Sequence, residues 1–217
     1  MPHDPANPWL FRRDELDMLE DEIDGVFDLH EQSRDPVNRT MEETVIGEQT
    51  KTEDSYERRL SDVLGPDALL EDEPHVCEHC KDGFPEGVAL KDLLSKKRDP
   101  LYVRSYLWAT KVFVWARESY WKQGMRNRDM FRVNVNACLV PVKIAFALAE
   151  EGHGDAHAPS IAGLEYDLAL VYLARTRESL GALRTMGLAY ADLVWMIEEA
   201  DALAAEIKDR RSRFPSL

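Results

Sequence analysis

The stretch Leu168-Ala169-Leu170-Val171-Tyr172-Leu173-Ala174 is apolar on nearly every side. A helix without a polar face has to be surrounded by other elements, so this stretch is predicted to be the central helix of a packed all-α protein. The helix is expected to start near Ser160, after the turn-forming run Gly152-His153-Gly154-Asp155-Ala156-His157-Ala158-Pro159, and to reach Met186, with Gly187 closing it.

Three amphipathic runs lie on either side of that helix. From Leu101 to Gln123, the residues Val103, Tyr106/Leu107, Thr110, Phe113/Val114 and Tyr120/Trp121 recur at three- and four-residue spacing, and Trp108, Val112 and Trp115 form a second strip beside them. From Asp129 to Glu151, the residues Val135, Cys138/Leu139, Val142, Ala145/Phe146 and Ala149 keep helical register. Pro141 interrupts this run, and its missing N–H predicts a kink or a restart. The alternation Val133-Asn134-Val135-Asn136 would alternatively suit a short extended piece. Over 188–212, Leu193, Met196/Ile197, Ala200, Leu203/Ala204 and Ile207 share a stripe that ends in Lys208, Arg210, Arg211 and Arg213, where cations complement the helix dipole. Four helices joined by short loops predict an antiparallel four-helix bundle over residues 100–217.

The charge of the chain divides at the same boundary. Residues 1–99 hold 27 acids against 12 bases, a net of −15, whereas residues 100–217 hold 14 acids against 15 bases. The whole net charge of −14 therefore comes from the first half, which reads as an acidic N-terminal region, partly irregular and with short helices. Within it, 12–31 suits an amphipathic helix, 33–52 a loop or linker, 56–64 a short helix stopped by Gly65-Pro66, and 90–97 another short helix. An acidic whole makes free nucleic acid a poor ligand for the full chain.

Length and composition exclude several classes. With 217 residues, 44% hydrophobic and 31% charged, the chain can bury a substantial core, and three cysteines are too few for a disulfide framework. No stretch reads as an uninterrupted apolar run of about 18 residues, and the N-terminus Met1-Pro2-His3-Asp4-Pro5 lacks a targeting pattern, so no membrane association and a cytoplasmic location are expected.

The sharpest chemical feature is His75-Val76-Cys77-Glu78-His79-Cys80. Cys77 and Cys80, two residues apart, can reach one tetrahedral ion from a single turn, with His75 and His79 as further ligands and zinc as the expected cofactor. No second Cys-x2-Cys exists, but His153 and His157 could complete the set and staple the acidic region to the bundle. The competing reading is surface thiols and solvated histidines. Glu118, Glu150 and Glu165 fall on three successive helices, and Glu150 with His153 matches half of a di-iron pattern. The fourth helix lacks the second Glu-x-x-His pair, so these acids are read as solvated faces and salt-bridge partners.

Between the first two bundle helices, Arg117, Lys122, Arg126, Arg128 and Arg132 interleave with Tyr120, Trp121 and Phe131, a composition able to hold an anion and stack a base, or simply to form a hinge of solvated cations and buried rings. No phosphate loop, nucleophile elbow or zinc-protease motif occurs. The reading that follows is a non-enzymatic helical interaction or regulatory module, with a protein partner or self-association and the acidic arm as contact surface or intramolecular cover of the 117–132 junction. The alternatives are a metal-binding protein or metal-dependent enzyme centred on Cys77 and Cys80, and a nucleotide- or nucleic-acid-binding bundle.

Overall fold

The computed structural model describes residues 36–65, 99–121, 125–151, 156–187 and 192–215, and every regular element among them is an α-helix. In chain order these are α1 (Pro36–Leu64), α2 (Pro100–Trp121), α3 (Arg128–Ala137), α4 (Leu139–Glu151), α5 (Ala158–Thr185) and α6 (Leu193–Arg211). The all-α class predicted by the periodicity is what the chain adopts. Helix α5, which carries the 168–174 stretch, packs against α1, α3, α4 and α6, while α2 packs against α3, α4 and α6.

Local chemistry fixes the helix ends. The Asp99 side chain accepts from the Leu101 N–H at 2.9 Å and Pro100 opens α2, the residue best suited to a first helical position. The other Asp99 oxygen accepts from Arg210 Nη2 at 2.6 Å, which ties the start of α2 to the end of α6. Asn127 is extended and its side chain accepts from the Met130 N–H at 2.8 Å, starting α3. At the end of α5, Gly187 takes a φ of 82°, a left-handed turn that a side chain would disfavour.

Pro141 acts as the sequence predicts. It cannot donate to the carbonyl of Ala137, its ring crowds that same carbonyl, and the helix divides into α3 and α4 at Cys138. The extended alternative for 133–136 is overturned: these residues are helical and all buried, and the Asn136 Nδ2 donates to the Arg132 carbonyl at 2.8 Å. Averaged over an 18-residue window, Arg128–Glu151 reaches a mean hydropathy of 1.4, which is more apolar than the residue-by-residue reading credits. That window is 78% buried against the rest of the protein.

Within α2 the two expected strips exchange importance. Trp108, Val112 and Trp115 are buried, and the Trp108 indole donates to the Met196 carbonyl of α6 at 2.9 Å, whereas Leu107 and Val114 of the first strip are exposed. Gly163 accommodates a close approach: a Cβ there would lie 3.2 Å from the Arg211 guanidinium, which crosses it to hold Asp167 through Nε at 2.9 Å and Nη2 at 3.1 Å.

The largest departure from expectation is α1. The loop expected over 33–52 and the short helix over 56–64 are replaced, from Pro36 onward, by one 29-residue helix that ends at Leu64, before Gly65. It lies against α3 and α5. The helices expected over 12–31 and 90–97 lie outside the described residues.

Candidate functional site

Helix α1 is seated by an unusual stripe. Glu42, Val45, Gln49, Thr52 and Tyr56 follow one another at alternating three- and four-residue steps, the spacing of one helix face, yet only Val45 among them is aliphatic. Glu42, Val45 and Gln49 are buried, at 2%, 1% and 4% exposure.

The contacts made along this face are mostly polar. Glu42 accepts a hydrogen bond from the Tyr120 hydroxyl of α2. Glu48 takes Arg132 of α3 in a two-pronged grip, Nε at 3.0 Å and Nη2 at 2.9 Å, and the remaining Nη1 of Arg132 reaches Glu178 of α5 at 2.7 Å. Arg175 donates to Thr52 Oγ1 at 2.6 Å. The Tyr56 hydroxyl donates to Glu165, whose other oxygen lies 3.3 Å from Lys143 Nζ of α4. Arg59 reaches Asp167 at 3.4 Å.

These surroundings hold the groups in fixed protonation states. Burial, and then the neighbouring Glu165 carboxylate, pushes the Tyr56 hydroxyl far above its ordinary range, and burial with the hydrogen bond to Glu42 does the same to Tyr120. Burial, with Glu53 nearby, pushes Tyr172 up to about 12. For Arg132, burial alone would favour loss of the proton, but the hydrogen bonds to Glu178 and Glu48 outweigh it and raise its pKa. Arg132 in turn lowers the pKa of Glu178, first through their hydrogen bond. Tyr56 and Tyr120 are therefore neutral donors at pH 7, and Arg132 is a permanent buried cation.

Beside this seam, α1 and α5 enclose a cleft of about 540 Å³. Its cations are Lys51 and Arg59 from α1, Arg128 from the start of α3 and Arg175 from α5, its acids are Glu48 and Asp167, and Leu168 and Val171 give it an apolar patch. On the opposite flank of α1 lies a larger hollow of about 1130 Å³, bordered by Glu53, Asp54 and Glu57 and by Arg58 and Lys143.

The predicted anion-binding residues separate. Arg128 reaches the cleft, and Arg132 stands behind it, buried in its two ion pairs. Arg117 is exposed with its guanidinium 6.0 Å from the centre of the Phe113 ring, and Arg126 is exposed as well. Lys122 lies outside the described residues. Sequence reasoning missed Lys51, Arg59 and Arg175, which are far apart in the chain and carry no shared motif. It also missed the α1 stripe, whose signal was the helical spacing itself.

For metal binding, Cys77, Cys80, His75, His79 and His153 lie outside the described residues, and His157 is exposed where α5 begins. Cys138 is buried in the core. Of the acids weighed for a di-iron centre, Glu165 is taken up by Tyr56 and Lys143, and Glu118 is exposed. Among the described residues no group of three or more His, Cys, Asp or Glu could hold a metal ion. Searches against protein-family models, curated proteins and solved structures found no match to this chain.

Proposed function

We propose that the chain is a non-enzymatic helical interaction module whose acidic helix α1 is a reversible intramolecular cover. The observation that carries this reading is the two-pronged Glu48–Arg132 ion pair: an acid of the N-terminal region sits on a cation of the 117–132 junction. Around that pair, α1 is held by tyrosine–carboxylate and arginine contacts, with Val45 its one fully buried aliphatic side chain and Met41 and Ile46 partly buried beside it. Contacts of this kind depend on desolvated charge and give specificity of seating more than strength. The groove under α1, with Arg132, Lys143, Arg175 and Tyr120, suits an acidic amphipathic helix, whether its own, a second copy's or a partner's.

The circuit of neighbours from α2 through α3 and α4 to α5, α6 and back to α2 supports reading these helices as an antiparallel four-helix bundle with α1 laid against it. In this arrangement the bundle is the scaffold and α1 the exchangeable part.

A labelled peptide of residues 36–64 tests the reading. A tethered α1 competes at an effective concentration of roughly millimolar, so the peptide should bind the intact chain weakly and a Glu48→Gln, Tyr56→Phe variant about tenfold more tightly. Absence of binding to both proteins, by fluorescence anisotropy, would remove the groove as a docking site for acidic helices.

A further inference from the structure

We propose that the cleft between α1 and α5 is a binding site for a small, multiply charged phosphate anion of nucleotide size. The inference goes beyond the covering role of α1: it needs α1 in its seat and does not depend on α1 leaving it.

The argument begins with charge. Residues 100–217 are nearly neutral, and the hollow on the other flank of α1 sets Glu53, Asp54 and Glu57 against Arg58 and Lys143. This cleft instead gathers four cations against two acids. Both acids are already engaged by arginines from outside the lining: Glu48 by Arg132 through two nitrogens, and Asp167 by Arg211 through two nitrogens. The field inside the cleft is therefore set by the cations.

Those cations are unequally committed. Lys51 and Arg128 form no ion pair among the described residues. Arg175 is the more committed: Nη2 donates to Thr52, Nε lies 3.8 Å from Glu48, and Nη1 is buried away from the cleft. The exposed Lys51 ammonium of α1 and Arg128 guanidinium of α3 match the several acceptor oxygens of a phosphate chain, and the planar fork of arginine suits them. Because they stand on different helices, one anion with several charges can engage both helices at once.

The remaining lining defines the other part of the ligand. Leu168 and Val171 follow one another on α5, and Val171 is 37% exposed. A cleft of about 540 Å³ with an apolar patch is larger than inorganic phosphate needs and is within the usual range for an organic ligand. The fit is to a phosphate chain near Lys51 and Arg128, with an uncharged body against Leu168 and Val171.

Isothermal titration of the full chain with adenosine triphosphate and with inorganic triphosphate tests the site. Saturable binding of the nucleotide is expected, with affinity falling as salt rises. A Lys51→Ala, Arg128→Ala double variant should weaken it about tenfold or more, the scale for losing charge-assisted contacts. Val171→Asp, which puts an acid into the cleft at an exposed helix position, should weaken it comparably, and Arg117→Ala should leave it unchanged. Circular dichroism of each variant checks that the helices are intact. Absence of saturable binding to both phosphates would overturn the proposal, and so would unaltered nucleotide affinity in the double variant and in Val171→Asp.

Discussion

On α5, Leu168, Ala169 and Leu173 are buried in the same apolar cluster as Val140, Ile144 and Ala147 of α4. Helix α1 adds Val45 to that cluster, with Met41 and Ile46 against it, and it meets α5 largely through polar pairs: Thr52 and Glu48 with Arg175, Tyr56 with Glu165, and Arg59 with Asp167. The first interface loses its stabilisation only when water reaches the apolar surface, which requires the helices to separate completely. The second holds fewer apolar contacts and more polar pairs, which water can replace one at a time, so the net contribution of each pair is small even though each broken one is costly. The same helix is therefore apolar core on one side and a largely polar seat for α1 on the other.

The comparison is broken most severely from the apolar side. Trp108→Ala removes a fully buried indole together with its hydrogen bond to the Met196 carbonyl, and should cost about 4 kcal/mol of global stability in urea unfolding. Arg132→Met acts on the α1 seat. It leaves Glu48 with only its longer contact to Arg175 and returns the exposed Glu178 to solvent, and should cost about 1–2 kcal/mol, part of it recovered by adding Glu48→Gln. A loss in the double variant equal to the sum of the single losses would show that the two side chains do not act as a pair.

Alkaline pH tests the tyrosines. Tyr56, Tyr120 and Tyr172 hold their protons more tightly when folded than their ordinary value near 10, so at high pH the folded state binds more protons than the unfolded one. Their contribution is complete below about pH 10 and declines as the pH rises through 12 and beyond. Urea unfolding at pH 8 and pH 11 should show this loss, and Tyr56→Phe should reduce the difference between the two. A wild-type protein equally stable at both values would contradict the assigned hydrogen bonds.

The smallest effect sharpens the comparison. Gly47 lies inside α1 with nothing within 4 Å of a Cβ placed there, and Gly181 occupies an equally open position inside α5. Replacing either by alanine should stabilise its own helix by about 0.5–1 kcal/mol. Gly47→Ala should act on α1 and Gly181→Ala on global unfolding, measured by hydrogen exchange and by urea respectively.

The same contrast explains what was legible in the sequence. Helices α2 to α6 announce themselves because Trp108, Val135, Leu173 and Leu203 recur with other apolar residues at helical spacing, and Pro141 marks the division at Cys138. Helix α1 was read as linker over much of its length because its buried face is written in Glu42, Gln49, Thr52 and Tyr56, which a search for apolar periodicity passes over. The charge excess of residues 1–99 is legible in the composition, but the individual pairs of Glu48 with Arg132 and Glu42 with Tyr120 are not. Arg128 was legible as a candidate from its cationic run, whereas Lys51 and Arg175, 124 positions apart by their numbers, come together only through tertiary packing.

Native-state hydrogen exchange at low and high salt tests most directly the claim that α1 is a charge-seated helix on an apolar core. The Val45 and Gln49 amides should exchange through a local opening of lower free energy than the Leu168 and Leu173 amides of α5, and added salt should accelerate α1 selectively. Exchange of α1 and α5 at one common free energy, with the same response to salt, would contradict the account.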